Sequence, residues 1–209
     1  MKSIKNTLKL VDDIVKLLSK HGEVNISLIG GYSVIAHGVE RTTVDVDFYI
    51  YTDTIHRENT SVFVELLKRV VPENFEVKFM KGSKDIEDPF KHDVIFIHDR
   101  GGEYSRIDFI VPIYKWELEG IKAAKPLEDI PFPVLSKPYL IATKLRAGSL
   151  KDDYDITELY KLLTEEEKKK TLELAKTIKR DKKLDRLINP PAIEESLEQD
   201  TEETIKSSE

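Results

Sequence analysis

Near the start of the chain Ile4, Leu8, Val11, Val15 and Leu18 recur at three- and four-residue steps. That spacing predicts an amphipathic helix ending near His21 and Gly22, covering one face of a sheet. Asn25 to Ile29 reads as a short apolar strand that stops at Gly30 and Gly31, and Tyr32 to His37 has helical character until Gly38. Arg41 to Tyr51 follows as a strand of alternating β-branched and polar residues. A second helix is predicted over Thr60 to Val70 and a strand over Phe75 to Met80. Lys81 to Lys91 is a polar loop. Val94 to His98 and Tyr104 to Val111 read as two strands of a hairpin, joined through Asp99 to Glu103 with its two glycines.

Between Pro126 and Pro138 four prolines break regular structure and mark a boundary. Beyond it the pattern is helical. Ser136 and Pro138 start a helix through Leu140, Ile141, Thr143, Lys144 and Leu145, which Gly148 ends. Ser149 with Asp152 is a capping-box start for a helix over Leu150 to Leu163, and Thr164 with Glu167 starts another that Asn189, Pro190 and Pro191 stop. The expected organisation is a catalytic domain over 1–133, a helical domain over 134–189, and an acidic, disordered tail over 190–209.

Charge changes the picture once it is located. The net charge of −6 lies in the tail, where seven acids stand against Lys206, so the body is formally neutral. Such a body can carry both an acidic pocket and a basic surface. The absence of cysteine excludes disulfides, zinc-thiolate sites and a thiol nucleophile. No stretch has a signal-peptide core or the length of apolar sequence that a membrane span needs, so the expected location is the cytoplasm, with no membrane partner.

The chemistry concentrates in LIGGYSVIAHGVERTTVDVDFYI, Leu28 to Ile50. In a strand, Asp45 and Asp47 point to one face while Val44, Val46 and Phe48 point to the other. Two adjacent carboxylates on a half-buried strand are costly unless a cation neutralises them. Arg41 and Thr43 share their parity and extend the row as base, hydroxyl, acid, acid. Asp108 is a third acid, between Ile107 and Phe109 of the hairpin's return strand. Hard oxygen ligands of this kind suit Mg²⁺, or Mn²⁺ in its place. Gly30 and Gly31 form a tight strand-to-helix turn or a backbone cradle for a phosphate. His37, His92 and His98 read as ordinary surface or turn histidines. Phe132, Trp116 and Tyr139 are either core residues or a surface on which a base stacks.

The strings IGG, RTTVDVDF and RIDFI, followed by KPYLIATKLRAGSLKDDYDITEL, resemble the DNA polymerase beta-like nucleotidyltransferase superfamily and, within it, the AbiEii-type toxin branch. The resemblance implies an α/β (α+β) nucleotidyltransferase fold, with a mixed, mostly antiparallel sheet flanked by helices and a C-terminal helical bundle. It implies catalytic, metal-binding roles for Asp45, Asp47 and Asp108, the last also a candidate base. It implies nucleotide contacts from Gly30, Gly31, Arg41, Thr43, Lys144, Lys151, Asp152 and Asp155. The implied reaction transfers a nucleoside monophosphate from an NTP to a hydroxyl acceptor such as tRNA or another macromolecule, with an antitoxin protein as partner. A non-catalytic binding protein and an antibiotic-modifying enzyme are the alternatives. The helical half is too short for processive synthesis, and no run of basic residues interleaved with aromatics announces an RNA groove.

Overall fold

The computed structural model describes residues 3–85, 87–88 and 90–190. The acidic tail expected after Pro190 lies outside the described residues. Helix α1 (Ile4–Leu18) begins where Ser3 accepts a hydrogen bond from the Asn6 amide, and its buried stripe is Leu8, Val11, Ile14 and Leu18. One 3-10 turn, Ser19–His21, leads to β1 (Val24–Ile29), α2 (Gly30–Ala36) and β2 (Asp45–Thr52). Next come α3 (Asp53–Arg57), α4 (Thr60–Val70), β3 (Phe75–Met80), β4 (Val94–Asp99) and β5 (Arg106–Ile110). The chain continues through α5 (Lys115–Ala123), β6 (Lys125–Pro126) and β7 (Pro133–Val134). It closes with α6 (Lys137–Ala147), α7 (Leu150–Lys161), α8 (Glu165–Thr177) and α9 (Asp181–Ile188).

The strands form one mixed sheet in the order β3-β4-β5-β2-β1-β7-β6. β2 lies antiparallel to β1 and parallel to β5, with β4 antiparallel to both β3 and β5. Side-chain alternation then divides the sheet's two faces. Val46, Phe48 and Ile50 of β2, Ile107 and Phe109 of β5, and Ile95 and Ile97 of β4 pack with Leu8, Val11, Phe63 and Leu67 from α1 and α4. Phe48 meets Phe109 and Phe132 edge-on, at centroid distances of 5.9 and 5.1 Å. Each such side chain, fully buried, contributes about 1.5–3 kcal/mol. The opposite face of β2 carries Asp45, Asp47 and Tyr49. Part of that face is covered by a second core, in which Tyr49, Ile29 and Val34 pack with Leu140, Ile141, Leu145, Ile156, Leu159 and Leu174.

Four local readings change. The strand expected from Arg41 begins only at Asp45, because β1 ends at Ile29, opposite Asp47, and β5 starts at Arg106, opposite Asp45. Residues before Asp45 have no neighbouring strand to pair with. The proline-rich segment contains a two-residue ladder at the sheet edge, Lys125 opposite Val134 and Pro126 opposite Pro133, where a missing amide is tolerated. The last expected helix is two helices. Lys179 adopts a φ of 57°, and the Arg180 amide donates to the Ala175 carbonyl, so the chain reverses and Leu184 of α9 returns to the core that holds Leu174. Finally, α3 and α5 were not foreseen. Thr52 caps the first, and the second follows Tyr114 with Glu117 closing a capping box.

Candidate active site

Register fixes the centre of the site. Asp47 of β2 stands directly opposite Asp108 of β5, and Asp45 stands opposite Arg106, so three carboxylates and one guanidinium share a small area of one sheet face. Arg106 Nη2 donates to Asp45 Oδ2 at 2.7 Å and to Asp108 Oδ2 at 2.9 Å, while its Nε donates to Asp108 Oδ1 at 2.8 Å. Asp47 accepts none of these bonds. Burial, then the like charges of Asp108 and Asp45, push the Asp47 carboxyl up to about 6. Burial also raises Asp108, with Arg106 opposing the shift.

The glycine pair abuts this centre. Gly30 has a φ of 66°, and a Cβ there would lie 1.9 Å from Asp47 Oδ2, 2.6 Å from its Cγ and 2.7 Å from its Cβ. Gly31 is similarly close to the side chains of Thr43 and Arg41, at 2.9 and 3.0 Å. Arg41 and Thr43 therefore reach the site across the turn that precedes β2 and not along the strand. Thr43 Oγ1 donates to the Asp45 carbonyl at 3.3 Å, which holds that turn.

A second ionic cluster forms the wall. Lys144 of α6 is 6% exposed and lies 2.7 Å from Asp155 and 2.9 Å from Asp152, both on α7. Arg41 also pairs with Asp155. Against the cost of burial, the Ser149 hydroxyl and Lys144 hold the Asp152 carboxyl below the usual range. Lys144 adds a positive charge that opposes the upward shift at Asp47. Lys151, by contrast, is exposed and joins no ion pair among the described residues. The broken helix at Gly148, φ 76°, is what separates it from Lys144.

Further along the same face Tyr49 donates to Glu117 Oε1 at 3.1 Å, and His92 Nε2 lies 2.8 Å from that oxygen. Glu117 Oε2 accepts the Ile113 and Tyr114 amides. Burial and the Glu117 charge raise the Tyr49 phenol well above its ordinary value. Arg146 lies over the Tyr114 ring, 4.2 Å from its centroid, and donates to the Tyr114 hydroxyl. Tyr49, His92, Glu117 and Arg146 line, with Thr143 and Trp116, a cavity of about 170 Å³. His92 is thus a half-buried partner of a buried acid rather than a turn histidine. Trp116 and Tyr139 are 7% and 8% exposed and belong to the second core, and Phe132, at 3%, to the first.

The donor set suits a hard divalent ion, because all three acids supply carboxylate oxygens from adjacent strands. Yet among the described residues no three acidic, His or Cys side chains converge as ligands. Arg106 instead engages both oxygens of Asp108 and one of Asp45. The fit to a metal is therefore one of donor chemistry. Arg106 was missed as a site residue, although its two-residue offset from Asp108 puts both on one face and was readable in RIDFI. The Tyr49, His92, Glu117 and Arg146 cluster had no such local signal.

A family model described as "Nucleotidyl transferase AbiEii toxin, Type IV TA system" matches residues 17–208. No curated protein matches the sequence. Among solved structures, the antibiotic-resistance factor ANT(2'')-Ia is similar at 13% identity, over 98% of this chain and 97% of that one, with a TM-score of 0.43. An antigenic nucleotidyltransferase-like protein from Paracoccidioides brasiliensis is similar at 19% identity, over 86% and 92%, with a TM-score of 0.44. Terminal uridylyl transferase 4 from Trypanosoma brucei, with bound UTP, is similar at 13% identity, over 69% and 41%, with a TM-score of 0.35.

Proposed function

Because the chain belongs to the AbiEii family of nucleotidyl transferase toxins, we propose that it moves a nucleoside monophosphate from an NTP to a hydroxyl on a macromolecular acceptor, tRNA being the first to test. The observation that supports this most is the register pairing of Asp47 with Asp108, beside a Gly30 that no other residue can replace without displacing Asp47. In the reaction the acceptor oxygen bonds to the α-phosphorus, the bond from that phosphorus to the bridging oxygen breaks, and pyrophosphate leaves.

Asp45, Asp47 and Asp108 would hold Mg²⁺ or Mn²⁺, which when bound neutralises charge building on the phosphates. Asp108, opposite Asp47 on the neighbouring strand, takes the acceptor's proton. Gly30 and Gly31 would meet the phosphates through their backbone amides, the space a side chain would take there being filled by Asp47, Thr43 and Arg41. Arg41 and Lys144, tied to Asp155, set the position of α7 against the β2 turn and bring positive potential toward the phosphates, while Asp152 keeps Lys144 in place. Lys151 stands exposed on the first turn of α7 as a cation for a more distant phosphate. An antitoxin is the expected protein partner, given the family's description as the toxin of a type IV pair.

The test is transfer of α-labelled NTPs to total RNA, to protein and to aminoglycosides, with wild type and Asp47→Ala in parallel. Label in RNA from the wild type alone is the expected result. Equal labelling by both proteins excludes the mechanism, and label in the drug alone moves the protein to antibiotic modification. One observation favours a non-catalytic nucleotide-binding module instead: Arg106 already neutralises two of the three acids. NTP binding without any transfer would support it.

A further inference from the structure

We propose that Arg106 is a built-in counter-cation that competes with the divalent ion for Asp108 and Asp45, so that the metal loads by displacing its guanidinium. The proposal rests on reading the three carboxylates as a metal site. Arg106 grips Asp108 through two donors and reaches Asp45 with one of them, at 2.7 to 2.9 Å. Those are oxygens that a small, hard cation would need, and a bidentate guanidinium leaves Asp108 none to spare.

The surroundings make Arg106 the decisive charge. Lys144 is committed to Asp152 and Asp155, and Arg41 to Asp155. Among the described residues, Arg106 is the one basic side chain within ion-pair distance of the triad. It covers two acids and leaves the third, so Asp47 is the carboxylate with no hydrogen bond from it and the foothold for an incoming ion.

Its freedom to leave is also visible. The Arg106 side chain is 42% exposed, unlike the Lys144 side chain at 8%, and it sits at the start of β5, where the ladder begins. The Phe96 ring of β4 lies 5.6 Å from its Cζ on the same sheet face, a contact made alongside the ion pairs. A structural ion pair buried on all sides would have no such opening to solvent.

The competition has a definite sign. An arginine that merely positions the carboxylates would strengthen metal binding, and its loss would weaken it. A competitor does the reverse. The guanidinium's like charge opposes a divalent cation at the same carboxylates, so removing it should tighten binding by at least about tenfold even after screening.

Mn²⁺ binding to the full chain, followed by calorimetry and by the spin-resonance signal of the free ion, reads this directly. Four proteins are compared: wild type, Arg106→Gln, Arg106→Lys and Asp47→Asn. The expected order is Arg106→Gln tightest, Arg106→Lys between it and wild type, and Asp47→Asn weakest. In thermal melts, Arg106→Gln should lose stability without metal and regain it with saturating Mn²⁺. Equal or weaker Mn²⁺ binding by a folded Arg106→Gln overturns the proposal. If that variant does not fold without metal, the Lys variant decides with the same sign. If wild type binds Mn²⁺ and Asp47→Asn binds it equally well, the metal-site reading itself falls, an outcome distinct from failure of the competition alone.

Discussion

Gly30→Ala tests whether the turn before α2 and the carboxylate on β2 are one structural unit. Two costs combine. A φ of 66° is the left-handed region, where an L-residue costs about 1–2 kcal/mol. The new methyl would also lie 1.9 Å from Asp47 Oδ2 and 2.7 Å from Asp47 Cβ. Turning the Asp47 side chain relieves the first contact and not the second, because Cβ is fixed by the strand. Backbone must move, at roughly 1–3 kcal/mol for overpacking of this kind. The sum, about 2–5 kcal/mol, corresponds to a fall in Tm of roughly 4–20 °C for a chain of this length. Urea denaturation followed by circular dichroism measures it. The informative version is a double-mutant cycle with Asp47→Gly, which removes all three opposing atoms. Gly30→Ala should then cost only its backbone strain, giving a coupling of about 1–3 kcal/mol in the cycle. Gly31→Ala is the control, since its nearest neighbours are the ends of the Thr43 and Arg41 side chains. An equal cost of Gly30→Ala in both backgrounds, or a cost below about 1 kcal/mol, would refute the reasoning.

Two further outcomes follow from the electrostatics. Asp47 titrates near 6 in the folded protein against 3.8 as the ordinary value, so between those pH values the native state holds a proton that the unfolded chain has released. Its contribution to stability therefore falls as pH rises through that window, by about 3 kcal/mol; metal-free Asp47→Asn should be more stable than wild type at pH 7.5, and the gap should close by pH 4, whereas a pH-independent gap would contradict the assignment. Lys144→Ala leaves the buried Asp155 with Arg41 as its remaining partner and should cost about 1–3 kcal/mol in denaturant unfolding, while Lys151→Ala at the exposed end of α7 should stay within about 0.5 kcal/mol.

The elements were legible wherever one periodicity ran uninterrupted. Thr60–Val70 and Phe75–Met80 have the predicted bounds because a helical stripe and a strand alternation each reach a clear stop. The capping boxes at Ser149 and Thr164 were readable for the same reason: the partners are three residues apart. Failures arose where a neighbour decides. Arg41–Val44 has strand character in its residues but no strand beside it, and Lys179 takes a left-handed φ that its residue type does not announce. The two-residue strand at Pro133–Val134 exists through its parallel pairing with Leu28, far back in the chain.

The site divides along the same line, between what one strand fixes and what two strands share. The two-residue period alone puts Asp45 with Asp47, and Arg106 with Asp108. The parallel register of β2 and β5, with Asp47 opposite Asp108 and Asp45 opposite Arg106, then turns two pairs into one cluster of three acids and a base. A shift of that register by one residue would send Asp108 into the apolar core on the far side, where Ile107 and Phe109 now pack. Burial of those two neighbours is thus what fixes Asp108 on the face that carries Asp45 and Asp47. The apolar half of RIDFI does as much for the candidate site as its charges do, and Phe109→Ser should disturb the Asp47–Asp108 pairing without touching either carboxylate.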